Sequence, residues 1–262
     1  MNLLGSLLGR RDGPPKLPTE AEYWVFVREA RLPDHAEILR RLLHENPYGK
    51  ARNPIGTGDA ILFSDVRWHT ALVLREKNAL AFRPDVLAGA MTERAGQDAV
   101  LDAKAFIRLR YHSDVPLEDR RYLRLLVHTA DAYLDILDGL GVYDQTAERF
   151  FTPSSLKAAL QADPVALSPS LHLRRGWRPE AEGEAAYANG FLKVGLPNIQ
   201  TEPVSRDATT LIEQVFERLT DEIWNAGEMK TEVELYEDRF QAIPTYRKNG
   251  STLLRILRHH QL

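Results

Sequence analysis

The sequence predicts an α+β fold of two ferredoxin-like units, each a sheet with a long amphipathic helix packed on one face. Three observations predict it. Two stretches, 117–138 and 207–226, repeat apolar residues at three- and four-residue steps, the pattern of a helix that buries one stripe. Short runs rich in aromatic and β-branched residues stand before and after each of them, as strands do. Regular βα alternation and fixed-period repeats are both missing from the chain, which argues against a barrel or a solenoid.

Taken in order, residues 1–20 read as a tail and a proline-containing linker. The folded part begins near Glu22 with a first strand at Tyr23, Trp24, Val25, Phe26 and Val27. Asp34 caps the next element and Glu37 occupies the capping-box position. Ile38, Leu39, Leu42 and Leu43 give that helix its apolar face, and it stops before Pro47. A loop rich in glycine and proline, 46–59, leads to β-like stretches at 60–63, 70–74 and 80–82. The looser segment 85–101 marks the expected boundary between an N-terminal unit, 21–100, and a C-terminal unit, 101–262.

In the second unit Ala105, Ile107, Leu109 and Tyr111 alternate with Lys104, Arg108 and Arg110, the period of a half-buried strand, with Phe106 out of step. The first long helix carries Leu123, Leu126, Val127, Ala130, Leu134 and Leu137 inward, and Gly139 suits its stop. A hairpin follows at 142–144 and 149–151. A short helix over 153–160 has Thr152 as its cap and Pro153 as its first residue. Strands are expected at 170–173 and 187–194. The second long helix buries Leu211, Ile212, Val215, Phe216, Leu219, Ile223 and Trp224, and Gly227 ends it. Residues 232–240 and 253–257 supply the last strands or helices.

Apolar residues make up 44% of the chain and charged residues 27%, the balance of a folded globular protein. A formal net charge of -3 gives no bulk attraction to polyanions, so nucleic acid is the less expected partner. The absence of cysteine excludes disulfides, thiolate nucleophiles, cysteine-ligated zinc and iron-sulfur clusters, and it fits a reducing cytoplasm. No apolar run is long enough to span a membrane. In the first fifteen residues an apolar stretch precedes an arginine pair, the reverse of a secretory signal. There Leu3, Leu4, Leu7 and Leu8 would share one helical face, a docking tail for a protein or a membrane surface, although a loosely ordered tail is the ordinary reading.

The sharpest polar grouping is His128, Asp131, Asp135 and Asp138, spaced to lie on one face of the first long helix. Imidazole and carboxylates so placed suit a divalent metal or acid-base work, whereas the ordinary reading is the solvated side of an amphipathic helix. Gly56, Thr57, Gly58 and Asp59 suit a turn better than a phosphate loop, since no Gly-Lys-Ser or Gly-Lys-Thr follows. Nucleophile elbows and zincin helices are absent too. His259 and His260, the adjacent pair, fall at the chain's end. Arg174, Arg175, Trp177 and Arg178 interleave base with an aromatic, as do Tyr246, Arg247, Lys248, Arg255 and Arg258. Such stretches hold phosphates and stack bases, or are ordinary solvated arginines.

The segment Ala188, Asn189, Gly190, Phe191, Leu192, Lys193, Val194, Gly195, Leu196, Pro197, Asn198 and Ile199 resembles the Gly-Leu-x-Lys-Phe-Gly-x-Pro-Asp signature of uncharacterised bacterial domain-of-unknown-function proteins of mixed α/β fold. Phe191, Val194 and Asn198 stand where that signature has Leu, Phe and Asp. The resemblance implies a bacterial accessory or defence-associated protein and assigns no functional residue. Three functions are therefore expected, in this order. The first is a non-enzymatic protein that binds another protein, in the manner of an immunity or adaptor protein. The second is a metal-dependent or hydrolytic enzyme using the His128 to Asp138 face. The third is a nucleic-acid-associated factor using the basic stretches. No catalytic residue is assigned, no cofactor is expected, and the expected location is the cytoplasm.

Overall fold

A computed structural model describes residues 17–48, 56–57, 60–61, 66–85, 87, 94–235, 238–247 and 251–258. The leucine tail (Leu3, Leu4, Leu7, Leu8), Gly58, Asp59, Lys248, His259 and His260 lie outside them. Strand β1 (Thr19–Val27) is largely buried on both faces, and it takes the centre of the first sheet. Ala21, Tyr23, Val25 and Val27 point into the main core, and Phe26 points to a smaller cluster on the opposite side. After it come helix α1 (His35–Leu43), the short strands β2 (Gly56–Thr57) and β3 (Ala60–Ile61), strand β4 (Trp68–Leu74), helix α2 (Arg94–Asp102) and strand β5 (Ala105–Ser113). Helix α3 (Arg121–Ile136) and the hairpin of β6 (Gly141–Asp144) and β7 (Arg149–Phe151) complete the first half.

The first sheet has the order β4-β5-β1-β6-β7, and every neighbouring pair is antiparallel. Helix α3 covers β1 and β5 on one face, and α1 packs on α3. Phe106 is out of step with its strand for a physical reason. Together with Phe26, Phe82, Val100 and Tyr143 it fills the second face, so this sheet is covered on both sides and not on one. The expected boundary at 100/101 runs through this sheet, because β1 and β4 come from before it and β5, β6 and β7 from after it.

The second half contains α4 (Pro153–Ala162), α5 (Pro169–His172), β8 (Arg174–Glu180), β9 (Gly183–Asn189), β10 (Ile199–Thr201), α6 (Thr209–Ala226), β11 (Glu232–Leu235), β12 (Asp238–Tyr246) and β13 (Thr252–Arg258). Its six strands are ordered β11-β12-β13-β10-β9-β8, so two meanders joined by α6 meet along the parallel pair β10 and β13. Helix α6 packs on β9 and β11. One continuous core joins both sheets, with Tyr23, Leu126, Phe191, Phe216, Trp224 and Leu254 in the same cluster.

Local chemistry explains three of the helix boundaries. Asp34 and Glu37 form the expected capping box of α1, Thr152 accepts from the Ser155 amide at the start of α4, and Gly227 closes α6 at φ 70°. Three short runs differ from expectation. Residues 80–82 belong to a 3-10 turn, Ala79–Phe82, because only Phe82 of the three is buried and Leu80 stays exposed. Residues 170–173 fall in and just after α5, where Ser168 and Pro169 open a helical turn. The strand expected at 187–194 stops at Asn189, since Gly190 sits at φ 113° and a Cβ there would lie 2.3 Å from the His172 carbonyl oxygen. Phe191–Val194 is then a 3-10 turn. At the end of α3 the left-handed residue is Asp138, at φ 46°, in place of Gly139.

Candidate binding cleft

Helical spacing does bring His128, Asp131 and Asp135 to one face of α3, but α1 lies across part of it: His128 and Asp131 are buried, whereas Asp135 and Asp138 are exposed as a solvated face would be. His128 is 1% and Asp131 3% exposed. Arg41 of α1 donates from Nη2 to Asp131 Oδ2 at 2.7 Å and from Nε to Asp135 Oδ2 at 2.8 Å, while the Tyr48 hydroxyl donates to Asp131 Oδ1 at 2.8 Å. Burial pushes the Asp131 carboxyl upward, and Arg41 and Tyr48 oppose that push. His128 packs edge-on against the Tyr48 ring, with centres 5.6 Å apart, and donates from Nε2 to the Pro164 carbonyl at 3.0 Å; burial drives its pKa down to about 4. Asp138 is exposed and reaches Arg28 at 3.4 Å. The face thus clamps two helices together. Among the described residues no three His, Asp or Glu side chains are grouped so as to hold a metal ion.

A second buried polar group ties the sheets to each other. Lys193, in the 3-10 turn after β9, and Asp144, at the end of β6, are both fully buried and form an ion pair. The Lys193 ammonium also donates to the His172 carbonyl at 2.9 Å, and the Ala147 amide donates to Asp144 Oδ1 at 3.1 Å. His172 stacks on Trp224 and donates from Nε2 to the Ala166 carbonyl at 2.8 Å, which leaves Nδ1 to accept from the Tyr23 hydroxyl at 3.2 Å. Burial raises the Asp144 carboxyl, lowers the Lys193 ammonium and lowers His172 to about 3. Every polar atom named here faces another inside the core, so the group holds the two sheets together.

The open site lies beside β8, the edge strand of the second sheet. A cavity of about 430 Å³ is walled by Arg149 of β7, by Arg174, Arg175 and Trp177 of β8, and by Glu213 and Glu217 of α6. Strand alternation divides the basic patch. Arg174 and Arg178 lie on the outer face, with guanidinium carbons 5.7 Å and 4.5 Å from the Tyr187 ring centre. Arg175 turns inward to Thr220 Oγ1 at 2.8 Å and to the Asp221 carboxylate. Arg149 lies over Phe151 at 4.4 Å and donates to the Ser170 carbonyl at 2.6 Å, and Arg174 donates to the Glu148 carbonyl at 2.7 Å. Arg149, Arg174 and Arg178 have no carboxylate within ion-pair distance among the described residues. Burial holds Arg149 below the usual arginine value.

No family model, curated protein or solved structure matches this chain. The site therefore rests on its geometry. A larger cavity of about 850 Å³ lies at the far end of α6, but there Asp119 pairs with Arg121, Glu228 with Lys230, and Arg120 donates to the Trp224 carbonyl at 2.6 Å. Likewise two of the C-terminal arginines are neutralised, Arg255 by Glu202 and Arg258 by Asp238. Sequence reasoning found Arg174, Arg175, Trp177 and Arg178 and missed Arg149, Glu213 and Glu217. The signal available was weak: Arg149 is one arginine in a hairpin, and the two glutamates share a helix face with many other charges.

Proposed function

We propose that the protein acts by binding another protein, and that the cleft beside β8 receives an acidic segment of that partner. The observation that carries this reading is the pair Arg149 and Arg174, two cations of the cleft wall with no carboxylate within ion-pair distance among the described residues, with Arg178 beside them on the outer face of β8, in a chain whose net charge is -3. Donors fixed by Ser170, Glu148 and Tyr187 are already oriented, so little side-chain entropy is lost when an anion arrives. A cytoplasmic accessory role, in immunity or defence, is the setting we assign to such a binder.

Fluorescence anisotropy with short acidic peptides tests it. The wild-type protein is expected to bind them more tightly than uncharged peptides, and Arg174→Glu with Arg178→Glu is expected to weaken binding about tenfold. Equal affinity in the double variant overturns the reading. Arg174 and Arg178 around Tyr187 also favour a second reading, a single-stranded nucleic acid laid on that outer face, which a steeply salt-dependent affinity for an oligonucleotide would support.

We also read the first sheet as a ferredoxin-like unit. Support comes from the chain order β1, α1, β4, β5, α3, β6, with β2 and β3 inserted before β4 and α2 before β5, combined with the sheet order β4-β5-β1-β6, all antiparallel, with β7 added at the edge.

A further inference from the structure

We infer that the cleft takes a dipolar ligand, a peptide segment that presents an acidic and a basic side chain together, with the acid against Arg149 and Arg174 and the base against Glu213. This rests on the binding function proposed above and specifies its partner. The two walls carry opposite charge. Arg149 and Arg174 line the cleft from the hairpin and from β8, each with one donor on a backbone carbonyl and its guanidinium over an aromatic ring, Phe151 and Tyr187 respectively. Glu213 and Glu217 enter from α6, four residues and therefore one turn apart on the same helix face.

The charges between the walls are already engaged. Arg175 is held by Thr220 and Asp221, and Glu217 sits 4.0 Å from it, so Glu213 is the wall carboxylate left without an ion-pair partner among the described residues. Leu173, Trp177 and Phe216 give the cavity an apolar lining against which aliphatic stems can lie. A purely anionic ligand would bring its charge next to two glutamates, and a purely cationic one would meet the arginines. Only a ligand with both charges is attracted by both walls. At about 430 Å³ the cavity is within the usual size of a small-ligand pocket and suits a pair of side chains better than a whole helix.

Short capped peptides, fluorescently labelled, test this on the full chain. One carries an aspartate, one a lysine, one both residues separated by a short spacer, and one serine at each position. The dipolar peptide is expected to bind about fivefold more tightly than the aspartate peptide, the effect of one added charge pair. Glu213→Gln should erase that advantage while leaving the aspartate peptide unaffected or improved; Glu213 is exposed, so the variant is expected to melt with the wild type. If the dipolar and aspartate peptides bind alike and Glu213→Gln changes neither, the dipolar assignment is wrong and the acidic-segment reading stands. If the aspartate peptide binds no better than the serine peptide, that reading falls as well.

Discussion

Lys193 and Asp144 show what one buried residue pair does. Each alone would be an unneutralised charge in the core, and together they join the turn after β9 to the end of β6. Lys193→Met is expected to destabilise the fold by about 3–5 kcal/mol, because it leaves the carboxylate buried without its cation. Urea unfolding of the variant measures this, and a midpoint unchanged from wild type would contradict the role given to the pair. The two buried histidines make a separate prediction. Their folded pKa values, about 4 for His128 and about 3 for His172, lie below the free value of 6.5. Their stabilising contribution is therefore complete above about pH 6.5 and is lost as the pH falls toward those folded values. Unfolding free energy should drop between about pH 7 and pH 5 by on the order of 2 kcal/mol per histidine, and His128→Gln should flatten that slope. Spacing alone put His128 and Asp131 on one helix face correctly. It could not reveal that Arg41, 90 residues away from Asp131, covers that face, because a long-range partner leaves no mark in a local period.

Among the elements, those announced by caps and long stripes were legible in the sequence. The capping box of α1, the Thr152 cap of α4 and the stripe and Gly227 stop of α6 all follow from side chains adjacent in the chain. The short runs at 80–82 and 170–173 were not, since a few apolar residues suit a strand and a helical turn equally and only the surrounding core decides. Helix α1 is short and depends on its tertiary clamp for order. Replacing Arg41 by Leu removes the donor to Asp131 and Asp135 and should cost about 3 kcal/mol. Hydrogen exchange reads this directly: amides of α1 should lose protection while those of β9 keep theirs. Uniform protection in the variant would mean that α1 is held by its apolar face alone.

At the scale of the whole molecule, two sheets share one core, and the first sheet takes strands from both sides of the break expected near residue 100. Composition marked a loose segment there, but strand pairing between distant parts of the chain is invisible to composition. The cleft shows the same limit, since β7, β8 and α6 all contribute to its lining and only β8 carried a cluster dense enough to notice. A fragment of residues 101–262 should fail to fold, because β5 loses both sheet neighbours and β6 loses β1. Circular dichroism melting of the fragment should show no cooperative transition, and a sharp one would restore the two-unit division.

Strand β1 lies between β5 and β6, and both are synthesised long after it. At ~5–20 residues per second, the roughly eighty residues separating β1 from β5 take about 4–16 s to emerge from a ribosome. During that interval Tyr23, Trp24, Val25, Phe26 and Val27 form an apolar, uncharged segment with no sheet to join, the kind of sequence that pairs with copies of itself. The strand that organises the finished first sheet is therefore an aggregation hazard in the nascent chain, and high-level expression should depend on a chaperone that shields it until β5 arrives.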